Sequence, residues 1–233
     1  MTADSRLIVP LDLPTVDEAR DMVERLGDAV GFYKIGLELL ASDGMILARE
    51  LKAGGKQIFL DWKLHDIGAT VERSARVLAG SGCDLLTVHA EPQVMKAAVQ
   101  ARGDSSLKIL AVTVLTSLTD ADLVEMGYAF GARELVERRV RQAIDCGVDG
   151  IVSSPQEAGL AREIATAAGK PDFLIVTPGV RPFWSAKNDQ ARAATPEAAI
   201  RAGASHLVCG RPITAANDPR EAALKVIAEI AGV

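Results

Sequence analysis

Four charged side chains stand in otherwise apolar sequence at a spacing that suits proton transfer. The segment F-L-D-W-K-L-H-D-I, residues 59–67, carries Asp61, Lys63 and Asp66, and the run F-Y-K-I-G places Lys34 at the end of an earlier apolar stretch. Buried charges need partners, and two lysines alternating with two aspartates would supply them. Neighbouring carboxylates favour the ammonium form of a lysine. Lys63 therefore reads as a proton donor to a developing carbanion rather than as a Schiff-base nucleophile. On an extended chain Asp61 and Lys63 share a side, while Leu60 and Trp62 face the other way. Two other readings compete: a structural salt-bridge network, and a carboxylate site for Mg²⁺ in which Lys34 and Lys63 would compete with the ion.

A second chemical grouping lies near the C-terminus, in T-P-G-V-R-P (177–182) and V-C-G-R-P-I (208–213). Gly179 and Gly210 permit close backbone approach, so that amides can point at an anion. Arg211 can add a forked, charge-assisted contact. The polar stretch between them, P-F-W-S-A-K-N-D-Q-A-R (182–192), has the composition of a lid, and from it Gln190 can offer an amide to phosphate. The plainer alternative is a pair of turn glycines with a surface arginine.

These residues require a scaffold that brings strand ends together. Short apolar runs fit strands at Leu7–Leu11, Gly31–Ile35, Gln57–Leu60, Leu85–Val88, Ile109–Val114, Gly150–Val152, Phe173–Val176 and His206–Val208. They are continuous rather than alternating, as expected of strands covered on both faces. Helical patterns follow most of them. Thr15 with Glu18, Ser154 with Pro155 and Glu157, and Asp218 with Pro219 and Glu221 are helix-start signatures. Gly54, Gly80, Gly103, Gly147, Gly169 and Gly203 are placed to end helices. Eight alternations without a long linker predict one α/β domain over residues 1–233, a (β/α)₈ TIM barrel. A doubly wound open sheet is the rival, but no GxGxxG turn follows the first strand. Barrel chemistry sits at the C-terminal strand ends, a rule that selects Asp12, Lys34, Asp61, Lys63, His89, Thr116, Ser153, Thr177, Gly210 and Arg211.

Composition bounds the rest. The 233 residues are 48% hydrophobic, enough for a sizeable core, with a formal net charge of −5. An acidic chain without a Lys/Arg run is a poor nucleic-acid binder, although local donors can still hold a small anion. Cys83, Cys146 and Cys209 are too scattered for a disulfide framework or a zinc site and read as small buried thiols. No stretch is long and apolar enough to be a membrane span. The expectation is a cytoplasmic protein without membrane, metal or cofactor.

Taken together, these segments resemble the orotidine 5′-phosphate decarboxylase family. The matching pieces are P-L-D at Asp12, Y-K-I-G at Lys34, F-L-D-W-K-L-H-D-I, V-H-A at His89, T-V-L-T-S through Thr116, T-P-G-V-R-P through Arg181, D-Q-A-R at Gln190 and C-G-R-P at Arg211. They run in order from the first strand to the last. The resemblance implies decarboxylation of orotidine 5′-phosphate to uridine 5′-phosphate in pyrimidine biosynthesis, without metal or organic cofactor. It implies that Lys63 protonates C6, that Asp61 lies by the departing carboxylate, and that Lys34 and Asp12 hold ribose. Thr116 would meet the pyrimidine edge, and Arg181, Gln190, Gly210 and Arg211 would surround the phosphate. Asp66 and Thr70 would complete the site of a partner subunit in a homodimer. Trp62 and Gly68 depart from the residues common in the family, at positions read as packing and helix start. Metal-using phosphate-sugar relatives share D-x-K-x-x-D but carry an acid where this chain has Lys34. A non-catalytic nucleotide-binding barrel would keep Arg211 and have no need of the charged array.

Overall fold

The computed structural model describes residues 3–185 and 194–233. Eight parallel strands close a barrel in sequence order: β1 (Leu7–Pro10), β2 (Phe32–Ile35), β3 (Gln57–Leu64), β4 (Leu85–His89), β5 (Lys108–Val112), β6 (Gly150–Val152), β7 (Leu174–Pro178) and β8 (His206–Val208), with β8 pairing back onto β1. The helices are α1 (Val16–Leu26), α2 (Leu37–Leu40), α3 (Gly44–Ala53), α4 (Gly68–Ala79), α5 (Pro92–Arg102), α6 (Asp120–Glu125), α7 (Ala132–Asp145), α8 (Ala158–Ala167), α9 (Pro196–Arg201), α10 (Arg211–Thr214) and α11 (Pro219–Ala231). The fold is the (β/α)₈ barrel that the strand–helix alternation predicts, and each expected strand is present.

Two apolar layers follow from strand periodicity. One residue set, including Ile8, Phe32, Phe59, Leu85, Leu110, Val176 and Val208, fills the barrel interior. The alternate set, including Val9, Tyr33, Ile58, Leu86, Ile109, Ile151, Ile175 and Leu207, packs under the helices. The inward set continues upward as Pro10, Lys34, Asp61, Val112, Val152 and Pro178, all lining a cavity at the C-terminal mouth. Lys34 and Asp61 thus belong to the top layer of the interior, two residues beyond Phe32 and Phe59 on their strands. Leu60 and Trp62 pack against the helix-side core, on the side expected of them.

Helix termini behave largely as the sequence signals. Thr15 caps α1 by accepting from Glu18 N–H at 3.2 Å, and Asp218 caps α11 by accepting from Glu221 N–H at 2.9 Å. Gly54, Gly80 and Gly103 stand immediately after α3, α4 and α5, and Gly147, Gly169 and Gly203 one residue further on after α7, α8 and α9. Ser154 does not cap a helix. Its hydroxyl bonds the Glu157 carboxylate instead of a backbone N–H, so residues 155–157 form a turn and α8 begins at Ala158. Cys83 and Cys209 are buried thiols, whereas Cys146 is only half-buried. His206 lies inside the barrel base, edge-on to Phe32, and burial lowers its pKa from the ordinary value.

At the base of the barrel the residue before each of β4, β6 and β8 ties down the preceding odd-numbered strand. Asp84 accepts from Ile58 N–H at 2.7 Å, Asp149 from Ile109 N–H at 2.8 Å and Ser205 from Ile175 N–H at 2.8 Å. Lys52 pairs with Asp84 at 2.9 Å, and Arg102 and Lys108 both approach Asp149 at 3.4 Å. These contacts fix strand register at the end remote from the mouth. No described helix is long and apolar enough to cross a membrane.

Closure of this barrel depends on a missing side chain. A Cβ on Gly150 would lie 2.4 Å from the Leu174 carbonyl oxygen and 2.9 Å from Leu110 Cδ2. The backbone oxygen cannot move without shifting β7. Gly150→Ala is expected to destabilise the protein by about 1–3 kcal/mol through overpacking, read as a fall in denaturant midpoint at unchanged slope.

Candidate active site

The β3 strand delivers its charges through an irregularity. Leu60 pairs with Leu86 and Leu64 pairs with Val88, so Asp61, Trp62 and Lys63 on β3 stand opposite Thr87 alone on β4. The extra residues distort the backbone, and Lys63 adopts φ +49°, a left-handed conformation rare for a side chain other than glycine. The regular alternation expected across Asp61 and Lys63 does not hold, yet the two side chains still meet. Lys63 Nζ lies 2.9 Å from Asp61 Oδ1, and Lys34 Nζ lies 3.5 Å from Asp61 Oδ2. Lys34 also donates to Asp12 Oδ1 at 2.9 Å.

The array therefore runs Asp12–Lys34–Asp61–Lys63, with Asp61 between two ammonium groups. Burial of Asp61 opposes its ionisation, but the fields of Lys34 and Lys63 outweigh that cost and hold its carboxyl below the usual carboxylate range. Thr87 donates its hydroxyl proton to Asp61 Oδ1 at 3.0 Å. Asp66 stands apart from this group. It is exposed, accepts from Ile67 N–H at 2.7 Å, and has no lysine within ion-pairing distance among the described residues. Thr70, on the first turn of α4, receives a bond from Arg73 at 3.3 Å. Neither Asp66 nor Thr70 lines the mouth cavity, so the four-charge array expected from sequence is not completed within one chain.

The cavity measures about 520 Å³ and is lined by Asp12, Lys34, Asp61, Lys63, Thr116, Arg181, Gly210 and Arg211 among others. A neighbouring space of about 480 Å³ shares Thr116, Pro178, Gly179 and Arg211 with it. One end is charged by the β2–β3 array; the other is built by the loops after β7 and β8, where Gly179 has φ +78° and Arg211 opens α10. Val112, Val152, Pro178 and Val208 form an apolar floor between the ends. A nucleotide-sized molecule with one anionic terminus fits this polarity, its flat apolar part over the floor. Gln190 lies outside the described residues. Ser153 and Thr177, selected by the strand-end rule, are buried away from the cavity lining.

His89 ends β4 beside His65, their rings 4.9 Å apart, and His65 Nε2 is 3.6 Å from Glu91. Burial lowers the His89 pKa. Among the described residues no group of three or more His, Cys, Asp or Glu could hold a metal ion.

Two contributors escaped the sequence reading. Thr87 is fully buried and bonds both Asp61 and the Lys63 backbone; its signal was a polar residue on the inward face of L-L-T-V-H. Gly36 is the other. A Cβ there would sit 2.6 Å from Asp12 Oδ1 and 3.0 Å from Lys34 Nζ, so the glycine of Y-K-I-G is what lets those two side chains meet. Because both obstructed atoms are mobile side-chain tips, Gly36→Ala is expected to fold normally but to lose at least about tenfold in kcat/KM on the true substrate, on the order of 1.4 kcal/mol. Thermal melting alongside steady-state kinetics separates the two effects.

Comparison with known proteins agrees with this geometry. Residues 5–226 match the family model described as the orotidine 5′-phosphate decarboxylase / HUMPS family. The orotidine 5′-phosphate decarboxylase of Caulobacter vibrioides (strain NA1000 / CB15N) is 87% identical over 233 residues, covering 100% of both chains. That of Rhodopseudomonas palustris (strain BisB5) is 58% identical over 226 residues, 97% of this chain and 94% of the relative. The crystal structure of orotidine 5′-phosphate decarboxylase from Lactobacillus acidophilus superposes with a TM-score of 0.83 at 37% identity, covering 97% of this chain and 99% of that one.

Proposed function

The chain belongs to the orotidine 5′-phosphate decarboxylase / HUMPS family, and from that premise we propose how its residues convert orotidine 5′-phosphate to uridine 5′-phosphate and CO₂. It is an orotidine 5′-phosphate decarboxylase, a lyase of pyrimidine biosynthesis. The observation that carries the residue assignment is the Lys63 ammonium, paired at 2.9 Å with a carboxylate that is itself held ionised, inside the mouth cavity.

The C6–carboxylate bond breaks, CO₂ leaves, and the bonding pair stays on C6. Lys63 Nζ donates its proton to that carbanion, giving the C6–H of the product and a neutral amine that is reprotonated from water. Asp61 lies where the substrate carboxylate enters. Its negative charge repels that group, and the repulsion ends when CO₂ leaves uncharged; the same charge keeps Lys63 oriented. Lys34 and Asp12, bonded to each other, hold ribose hydroxyls. Thr116 meets the pyrimidine edge. Arg181, Gly210 and Arg211 receive the phosphate, with Gln190 joining from outside the described residues. Binding energy from the phosphate end positions C6 over Lys63.

No metal or organic cofactor enters this scheme, because both ammonium groups already occupy the carboxylates that a divalent cation would need. The metal-using relatives sharing D-x-K-x-x-D carry an acid at the β2 position held here by Lys34. Residues 1–233 act as one catalytic barrel in the cytoplasm. Purified protein is expected to turn over orotidine 5′-phosphate, with loss of pyrimidine absorbance, equally well before and after EDTA dialysis. Lys63→Ala is expected to fold and to show no measurable turnover. Residual activity within about tenfold of the parent would limit the role of Lys63 to about 1.4 kcal/mol.

The working unit is a homodimer in which Asp66 and Thr70 complete the partner's site. Three features support this: Asp66 is exposed beyond the strand end, Lys63 is paired only with Asp61 among the described carboxylates, and the adjoining Ile67 is 66% exposed. A twofold interface would give two equivalent composite sites. Mixing inactive Lys63→Ala and Asp66→Ala subunits with verified exchange is then expected to restore about a quarter of the parental sites. Verified mixed dimers without activity would place Asp66 in its own chain's site.

A further inference from the structure

We propose that Thr87 is a positioning residue: its hydroxyl replaces the backbone ladder lost where β3 bulges and thereby sets the aim of both Asp61 and Lys63. This rests on the decarboxylase reading of the site and deepens it.

Three residues of β3 stand opposite one residue of β4 between the Leu60–Leu86 and Leu64–Val88 pairs. Regular parallel pairing would satisfy the backbone of that stretch through β4 carbonyls and amides. Here the Lys63 N–H has lost such a partner and donates instead to Thr87 Oγ1 at 2.9 Å. A buried N–H left without an acceptor would cost free energy, and the Thr87 side chain, with no measurable exposure, removes that cost.

The same oxygen has a second task. It donates its single proton to Asp61 Oδ1 at 3.0 Å, the carboxylate oxygen that also receives Lys63 Nζ at 2.9 Å. A hydroxyl can accept and donate at once, so one atom on β4 fixes the backbone of the proton donor and the carboxylate beside it. The φ of +49° at Lys63 gives the fixing its purpose. A lysine in that conformation persists only where its surroundings over-determine it, and the Thr87 acceptor is the contact that meets its amide. Thr87 does not line the cavity, so it touches no substrate and acts only through the other two.

Valine has nearly the shape of threonine without the hydroxyl, and serine keeps the hydroxyl without the methyl. In Thr87→Val, kcat is expected to fall at least thirtyfold while KM stays within about threefold, since the ribose and phosphate contacts are untouched. The acid limb of the kcat–pH profile is expected to move upward, because Asp61 loses a donor that favours its ionised form. Thr87→Ser is expected to keep kcat within about threefold and the parental pH profile. Should Thr87→Val not fold, the Ser and Ala variants make the same comparison with the methyl absent from both. A Val variant, or an Ala variant matching Ser, with kcat within about twofold of its hydroxyl-bearing counterpart would overturn the proposal. So would equal losses in the Val and Ser variants, which would assign the effect to packing. Parent and Lys63→Ala proteins assayed in parallel keep the two readings apart: an inactive parent removes the decarboxylase reading, whereas an active parent with an unaffected Thr87→Val removes only Thr87.

Discussion

The carboxylate of Asp61, held between two lysines, is the interaction on which the site depends. Burial alone would push the Asp61 carboxyl up, and without it the two ammonium groups would face each other with no carboxylate between them. Together the three groups lie beside a floor of valine and proline at the charged end of the cavity. The arrangement gives no reason to expect stability: a buried ion pair commonly does no better than apolar residues of the same shape. Its value lies in orientation, because a charge fixed before substrate arrives needs no reorganisation during reaction.

The barrel makes that arrangement affordable. Its interior is a stack of layers, and the apolar layers of Ile8, Phe32, Phe59, Leu85 and Leu110 lie beneath the charged one. Register is locked at the opposite end by Asp84, Asp149 and Ser205. Distortion can then be concentrated in the upper part of β3 without loosening the closure of the sheet. Gly36 and Gly150 serve the same division, one clearing space for the Asp12–Lys34 pair and the other letting β6 and β7 approach.

Much of this was legible in the sequence because the determining signals are local. Apolar runs separated by helical patterns locate the strands, and glycines mark the helix ends. Charges at strand ends identify Lys34, Asp61 and Lys63 before any coordinates. What was not legible depends on contacts between strands. Lysine carries no mark of a left-handed backbone, so the extended reading of Asp61–Lys63 missed the bulge. Thr87 looked like an ordinary strand residue because its importance arises from what β3 lacks opposite it. The Ser154 signature failed for a similar reason: a side chain three residues on captured its hydroxyl. Asp66 lies two residues past the end of β3 and lines no mouth cavity of its own chain, a placement that spacing from Lys63 alone does not reveal.

The backbone at Lys63 also carries a consequence for stability. At φ +49° the conformation suits glycine, and a lysine there forgoes about 1–2 kcal/mol of backbone free energy. Glycine there would relieve the backbone but would also take from buried Asp61 one of the two ammonium groups that hold it ionised. At position 63 the gain from a relaxed backbone and the loss from stripping Asp61 of a partner oppose each other, so a screen for heat resistance reads only their difference.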